Sequence, residues 1–151
     1  MKQKLLLRTG ILSLVLYLVL PALPVEAQNM NVNPDKINLN AQGNAENIQC
    51  AYGAYLVSSN VTFTDIQIYF AGTYVCDAYG VDYCIIDNMV FVEFDWTTMI
   101  SSPVLEELAN QGQVVVEISG YFIVTDNNGE DHEYAVDRWG WAEVIKPGKR
   151  K

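Results

Sequence analysis

The run Gln113-Val-Val-Val-Glu-Ile-Ser-Gly-Tyr-Phe-Ile-Val-Thr125 constrains this chain most. It is dense in β-branched and aromatic residues, which suit a pleated, half-buried strand better than a helix. It does not stand alone. Lys36–Asn40 alternates Ile37 and Leu39 with polar neighbours, and Asn47–Val57 carries Ile48, Cys50 and Tyr52 on one face. Ile66–Ala71, Val90–Trp96 and Arg138–Ile145 repeat the pattern, with Glu133–Ala135 leading into the last of them. Asn, Asp and Gly clusters separate these segments, and Asn128-Gly129 within Asp126–Glu130 predicts a hairpin turn with positive φ angles. The pattern predicts an all-β, antiparallel sandwich of about seven to eight strands. One short helix interrupts it, with Ser102 as N-cap, Pro103 in the first position, Glu106 and Glu107 near the positive dipole end, and Gly112 beyond the end.

The N-terminus bears on compartment. Lys2, Lys4 and Arg8 precede an apolar run, Ile11–Leu20, and Val25-Glu26-Ala27 reads as a cleavage site. That run is shorter than the roughly 20 residues a spanning helix needs. Residues 1–27 therefore read as a signal peptide, residues 28–145 as a single sandwich domain, and residues 146–151 as a basic tail. The expected destination is the extracellular space, the cell surface or the periplasm, with no membrane insertion after cleavage.

The formal charge of −9 grows more negative once the basic leader is removed, and most remaining basic residues lie in Lys146-Pro-Gly-Lys149-Arg150-Lys151. An acidic body lacks the basic footprint that phosphate binding requires, so nucleic acid and anionic lipid are disfavoured as partners for it, and no nucleic acid is expected.

The order of segments resembles a family of secreted bacterial Ig-like β-sandwich modules found in surface and matrix proteins, often beside dockerin-type calcium repeats. The residues that carry the resemblance are Pro34-Asp-Lys-Ile37-Asn38-Leu39 followed by Gly43, then Val90-Phe-Val-Glu-Phe94-Asp95, then Ile118-Ser119-Gly120, and finally Val144-Ile145. The resemblance implies a calcium loop just before the Phe94-Asp95 strand. Here that position reads Tyr83-Cys84-Ile85-Ile86-Asp87-Asn88, which leaves two oxygen ligands where calcium takes six to eight. Against that family pattern, a covalent staple in Tyr74–Cys84 stands in for the ion.

Three cysteines in an exported chain leave one over. Cys76 and Cys84 flank a turn-prone segment containing Gly80, so a bridge between them is the local pairing. Cys50 is then a buried thiol or, alternatively, an intermolecular one, and its pairing with either partner stays open. A zinc site would need Cys76, Cys84, the sole histidine His132 and a fourth group, which an oxidising compartment disfavours. No metal or cofactor is expected.

Catalysis finds few candidates. His132 lies among acids in Glu130-Asp131-His132-Glu133, and there is no Gly-x-Ser-x-Gly elbow. Glu93 and Glu117 interrupt apolar strands, where period-two alternation turns them to solvent. The chain reads as a non-enzyme. In Arg138-Trp-Gly-Trp-Ala-Glu143, Trp139 and Trp141 share a face. Because the opposite face carries Arg138 and Gly140, a poor core, the indoles are expected inside, and Trp96 is expected to cap the core. The expected function is extracellular adhesion, matrix or surface assembly, with an extracellular protein, a second copy included, as partner. The alternative is a carbohydrate-binding module in which Trp139 and Trp141 form a flat platform and Arg138 and Glu143 bind hydroxyls of a polysaccharide.

Overall fold

The computed structural model describes residues 29–41 and 47–148. The expected signal peptide (residues 1–27), Gly43 and the last three tail residues lie outside the described residues. The described residues are mostly β, with nine strands in two sheets. One sheet holds β1 (Asn31–Asn33), β3 (Ile48–Gly53), β7 (Met89–Phe94) and β6 (Gly80–Cys84), in that order. The other holds β2 (Lys36–Asn38), β9 (Asp131–Ile145), β8 (Gln113–Thr125), β4 (Val61–Phe70) and β5 (Thr73–Asp77). All pairings are antiparallel except β2 with β9.

Period-two alternation explains the inward faces. Ile48, Cys50 and Tyr52 of β3 stand opposite Phe94, Val92 and Val90 of β7, and all six are buried. In the other sheet Ile66, Ile68 and Phe70 lie beside Val114, Val116, Ile118, Phe122 and Val124, with Val136, Ala142 and Val144 beyond. These residues form one hydrophobic cluster fed by both sheets, and burial of this kind is the main stabilising term.

Several strands run longer than the sequence pattern predicts. β4 starts at Val61 rather than Ile66, and β9 joins Glu133–Ala135 to Arg138–Ile145 in one strand of 15 residues, while β8 keeps the bounds read from the sequence, unbroken at Gly120. Gly120 is no interruption because it lies against β4 with φ 142°, and a Cβ there would sit 1.9 Å from the Asp65 carbonyl oxygen. The hairpin turn is where the sequence places it, but only Gly129 takes a positive φ. Asp126 does the rest, its Oδ1 accepting from the backbone N–H groups of Asn128 at 2.8 Å and Glu130 at 2.9 Å.

Among the described residues two short helices occur rather than one. α1 (Trp96–Ile100) is capped by Asp95, whose Oδ2 accepts from the Thr98 N–H and hydroxyl at 2.8 Å each. α2 (Pro103–Leu108) starts at Ser102, as the sequence predicts, with Ser102 Oγ accepting from Val104 N. Trp96, Met99 and Leu105 close over the core. No helix among the described residues is long and apolar enough to cross a membrane.

The stretch around Cys76 and Cys84 corrects an expectation. β5 and β6 do not pair. Ala78 N donates to Ile66 O in one sheet and Tyr79 N to Glu93 O in the other, so the chain changes sheet between adjacent residues. Cys76 stands beside Ile68 and Cys84 beside Met89, and all three cysteines are free. The expected bridge assumed a hairpin ladder, which this change of sheet removes. Cys76 Sγ instead lies 3.3 Å from Met99 Sδ. Cys50 is fully buried, so its thiol is a core group rather than an exposed intermolecular link, and burial pushes its pKa well up.

Candidate functional site

Strand β9 organises the site. Its even-numbered side faces the core through Val136, Gly140, Ala142 and Val144, and its odd-numbered side faces outward. Trp139 and Trp141 are therefore on the outer face, which overturns the expectation of core indoles. The opposite face is a workable core because another segment fills it. Gly140 receives the backbone of the N-terminal lead, and a Cβ there would lie 2.6 Å from Met30 O. Met30 and Val32 supply the apolar bulk that Gly140 lacks. Asn29 clips this lead to β9, donating from its N–H to Trp139 O and accepting from Trp139 N at its Oδ1, 2.8 Å away.

The two indoles meet edge to face, with centroids 5.9 Å apart and planes at 86°. They form a corner and not the flat platform predicted. Trp141, 38% exposed, is also one wall of an open cleft of about 370 Å³. The amides of Asn31, Asn33 and Gln113 line that cleft with the carboxylates of Asp35 and Glu143 and the ammonium of Lys36. Its size falls within the usual range for small-ligand sites, roughly 300–1,000 Å³. Asn and Gln each offer donors and an acceptor, which suits hydroxyl groups that both donate and accept. Glu143 is positioned twice, by its N–H donating to Asp35 O at 2.7 Å and by an ion pair with Lys36 at 3.6 Å.

Of the four residues the sequence nominates, Trp139, Trp141 and Glu143 come together. Arg138 does not. It has the opposite parity, and its guanidinium lies 5.0 Å from the ring centroid of Tyr52 on β3, where it joins the sheets by a cation–π contact. Burial raises the Tyr52 phenol to about 12, and the Arg138 charge offsets part of that rise. Asn31, Asn33 and Asp35 were missed because the Asn-rich lead carries no strong strand signal. The alternation Met30-Asn-Val-Asn33 is the only trace of β1 in the sequence.

The remaining candidates are scattered. Glu93 and Glu117 lie on the outward faces of different sheets and flank no common cleft, and Glu93 accepts from Gln49 Nε2. His132 Nε2 lies 3.2 Å from Asp126 Oδ2, and with Glu130 these are the one group among the described residues whose donor atoms cluster tightly enough to hold an ion. Cys76 sits in the same row of the sheet as Arg138, three strands across from it, and Arg138 is six residues along β9 from His132, so Cys76 and His132 are roughly 25 Å apart. A zinc site joining Cys76 and Cys84 to His132 therefore has no geometric basis.

No family model, no curated protein and no solved structure matches this chain.

Proposed function

We propose that this chain is a secreted, non-enzymatic Ig-like β-sandwich that serves extracellular adhesion or matrix assembly by binding polysaccharide at the Trp139–Trp141 corner and its adjoining cleft. One observation carries the reading: two adjacent indoles face outward beside a cleft lined by three amides, two carboxylates and the Lys36 ammonium. The apolar face of a pyranose docks on an indole, and the surrounding amides and acids exchange hydrogen bonds with its hydroxyls. The leader-like N-terminus and the family resemblance support export to a place where such polymers occur.

The test is retention on insoluble polysaccharides by the wild type and by Trp139→Ala/Trp141→Ala. Both indoles lie outside the core, so the double variant is expected to fold and to lose retention. A wild type that no polysaccharide retains, or a folded double variant retained as well as wild type, refutes the reading.

A second reading, assembly through protein contacts, draws on the end of the molecule where β6 turns into β7. Ala54 N donates to Asn88 O, and Leu56 N to the Tyr83 hydroxyl, which holds the segment after β3 beside that turn. Exposed Tyr55, between those two anchored residues, thus lies at the same end of the molecule as exposed Ile85 and Ile86, the last 89% accessible. Side chains of this kind mark interaction surfaces when they cluster. Light scattering decides it: a concentration-dependent dimer that Ile85→Ser/Ile86→Ser dissociates supports self-assembly, and a monomer at every concentration removes it.

A further inference from the structure

The outer face of the five-stranded sheet continues beyond the two indoles, and its side chains fall into rows set by strand register. Trp139 stands opposite Glu117 on β8, Glu117 opposite Tyr69 on β4, and Tyr69 opposite Tyr74 on β5. The tyrosines meet edge to face with centroids 6.0 Å apart. The row therefore runs indole, carboxylate, phenol, phenol across three inter-strand spacings, roughly 14 Å. In the next row Asp137 stands opposite Ser119, and further along Asp65 stands opposite Tyr121. Glu117 forms no ion pair among the described residues. Lys36, on β2 beside the indole strand and in the Trp141 cleft, is the only basic side chain on this face among the described residues, and Glu143 holds it in an ion pair.

Resting on the polysaccharide reading above, we propose that the ligand is a polymer of amino sugars bearing free ammonium groups. It runs from the Trp139–Trp141 corner along the Glu117 row, with an ammonium against Glu117. A cation beside a carboxylate and over aromatic faces gains from both. The charge balance selects among sugars: a chain of net charge −9 with several unpaired carboxylates on the face repels uronic acids and attracts amines. A neutral sugar would use the rings and leave Glu117 with its water.

Calorimetry with the full chain tests this, using a fully deacetylated glucosamine hexamer, its N-acetylated counterpart and cellohexaose, at a pH where the amine is protonated. The deacetylated hexamer is expected to bind about tenfold more tightly than the other two, with the preference shrinking as salt rises. Glu117→Gln is expected to lower its affinity toward that of the N-acetylated hexamer. If the N-acetylated or neutral hexamer binds as tightly, the ammonium proposal fails while the polysaccharide reading stands. If neither these hexamers nor insoluble polysaccharides bind, that reading fails and the proposal with it. If hexalysine binds as tightly as the glucosamine hexamer and Trp139→Ala weakens neither, the face is a general polyanion and the proposal is overturned.

Discussion

Gly140→Ala tests how the site is built. The glycine has no positive φ to protect, so the substitution carries no backbone strain, and everything turns on the new methyl group. It would lie 2.6 Å from Met30 O and 3.3 Å from Val32 Cγ2. Two responses are open to the chain. The lead can detach and expose Met30 and Val32, at about 1.5–3 kcal/mol for each side chain and so roughly 3–6 kcal/mol together. Or its backbone can move out from 2.6 Å toward the 3.4 Å of ordinary contact, which costs about 1–3 kcal/mol, as overpacking does. The smaller cost governs, so the expected loss is about 2 kcal/mol, which lowers the melting temperature by roughly 8 °C in a domain of this size. The same shift moves Asn31 and Asn33 in the cleft, so polysaccharide retention should weaken alongside stability. Thermal melts by circular dichroism give the first quantity, and amide exchange across Asn31–Asn33 the second. Gly80→Ala is the control, because nothing lies within 4 Å of its Cβ. A Gly140→Ala variant that melts within about 2 °C of wild type, with β1 amides still protected, would refute the claim that this glycine seats the lead.

Gly120→Ala should be far worse: its Cβ would lie 1.9 Å from Asp65 O at φ 142°, so a loss above about 4 kcal/mol is expected, and a urea midpoint near wild type would contradict it. Thiol labelling of the native protein should show Cys84 reacting first, while Cys76, raised to about 11 by burial and then by Asp77 and Asp95, and the fully buried Cys50 wait for unfolding. Rapid labelling of Cys50, or an intact mass lower by the hydrogens of a Cys76–Cys84 bond, would contradict the free-thiol arrangement. Asp126 is held below the usual carboxylate range, first by the Glu130 N–H, then by His132 and the Asn128 N–H. A depressed folded value means its contribution is complete above the unfolded value and fades as pH falls through the folded one. Asp126→Ala should therefore destabilise at neutral pH and converge on wild type in acid, and a gap that stays constant down to low pH would rule this out.

Much of the architecture was legible because alternation is a local property. Ile48, Cys50 and Tyr52 declare a buried face whatever they pair with, and Ser102-Pro103 announces a helix start on chemistry confined to a few residues. α1 was less visible because Asp95 is a cap with no apolar period long enough behind it. The Cys76–Cys84 expectation went astray where local reasoning must, at a change of sheet. A turn-prone segment between two strands reads as a hairpin unless something shows that the strands belong to different sheets.

The site divides along the same line. The sequence by itself determined that Trp139 and Trp141 share a face, that the chain is acidic, and that its segments are strands, since each follows from residue type and a spacing of two. Which face the indoles take was decided only in three dimensions. Parity along β9 leaves Gly140 and Ala142 on the other side, and that side becomes a core only because Met30 and Val32, more than a hundred residues earlier in the chain, fold back against it. The cleft likewise exists because β1 and β2 belong to different sheets and meet β9 at one edge. Long-range packing of this kind leaves no mark in a short window of sequence, because neither partner's residues change their local pattern to announce it.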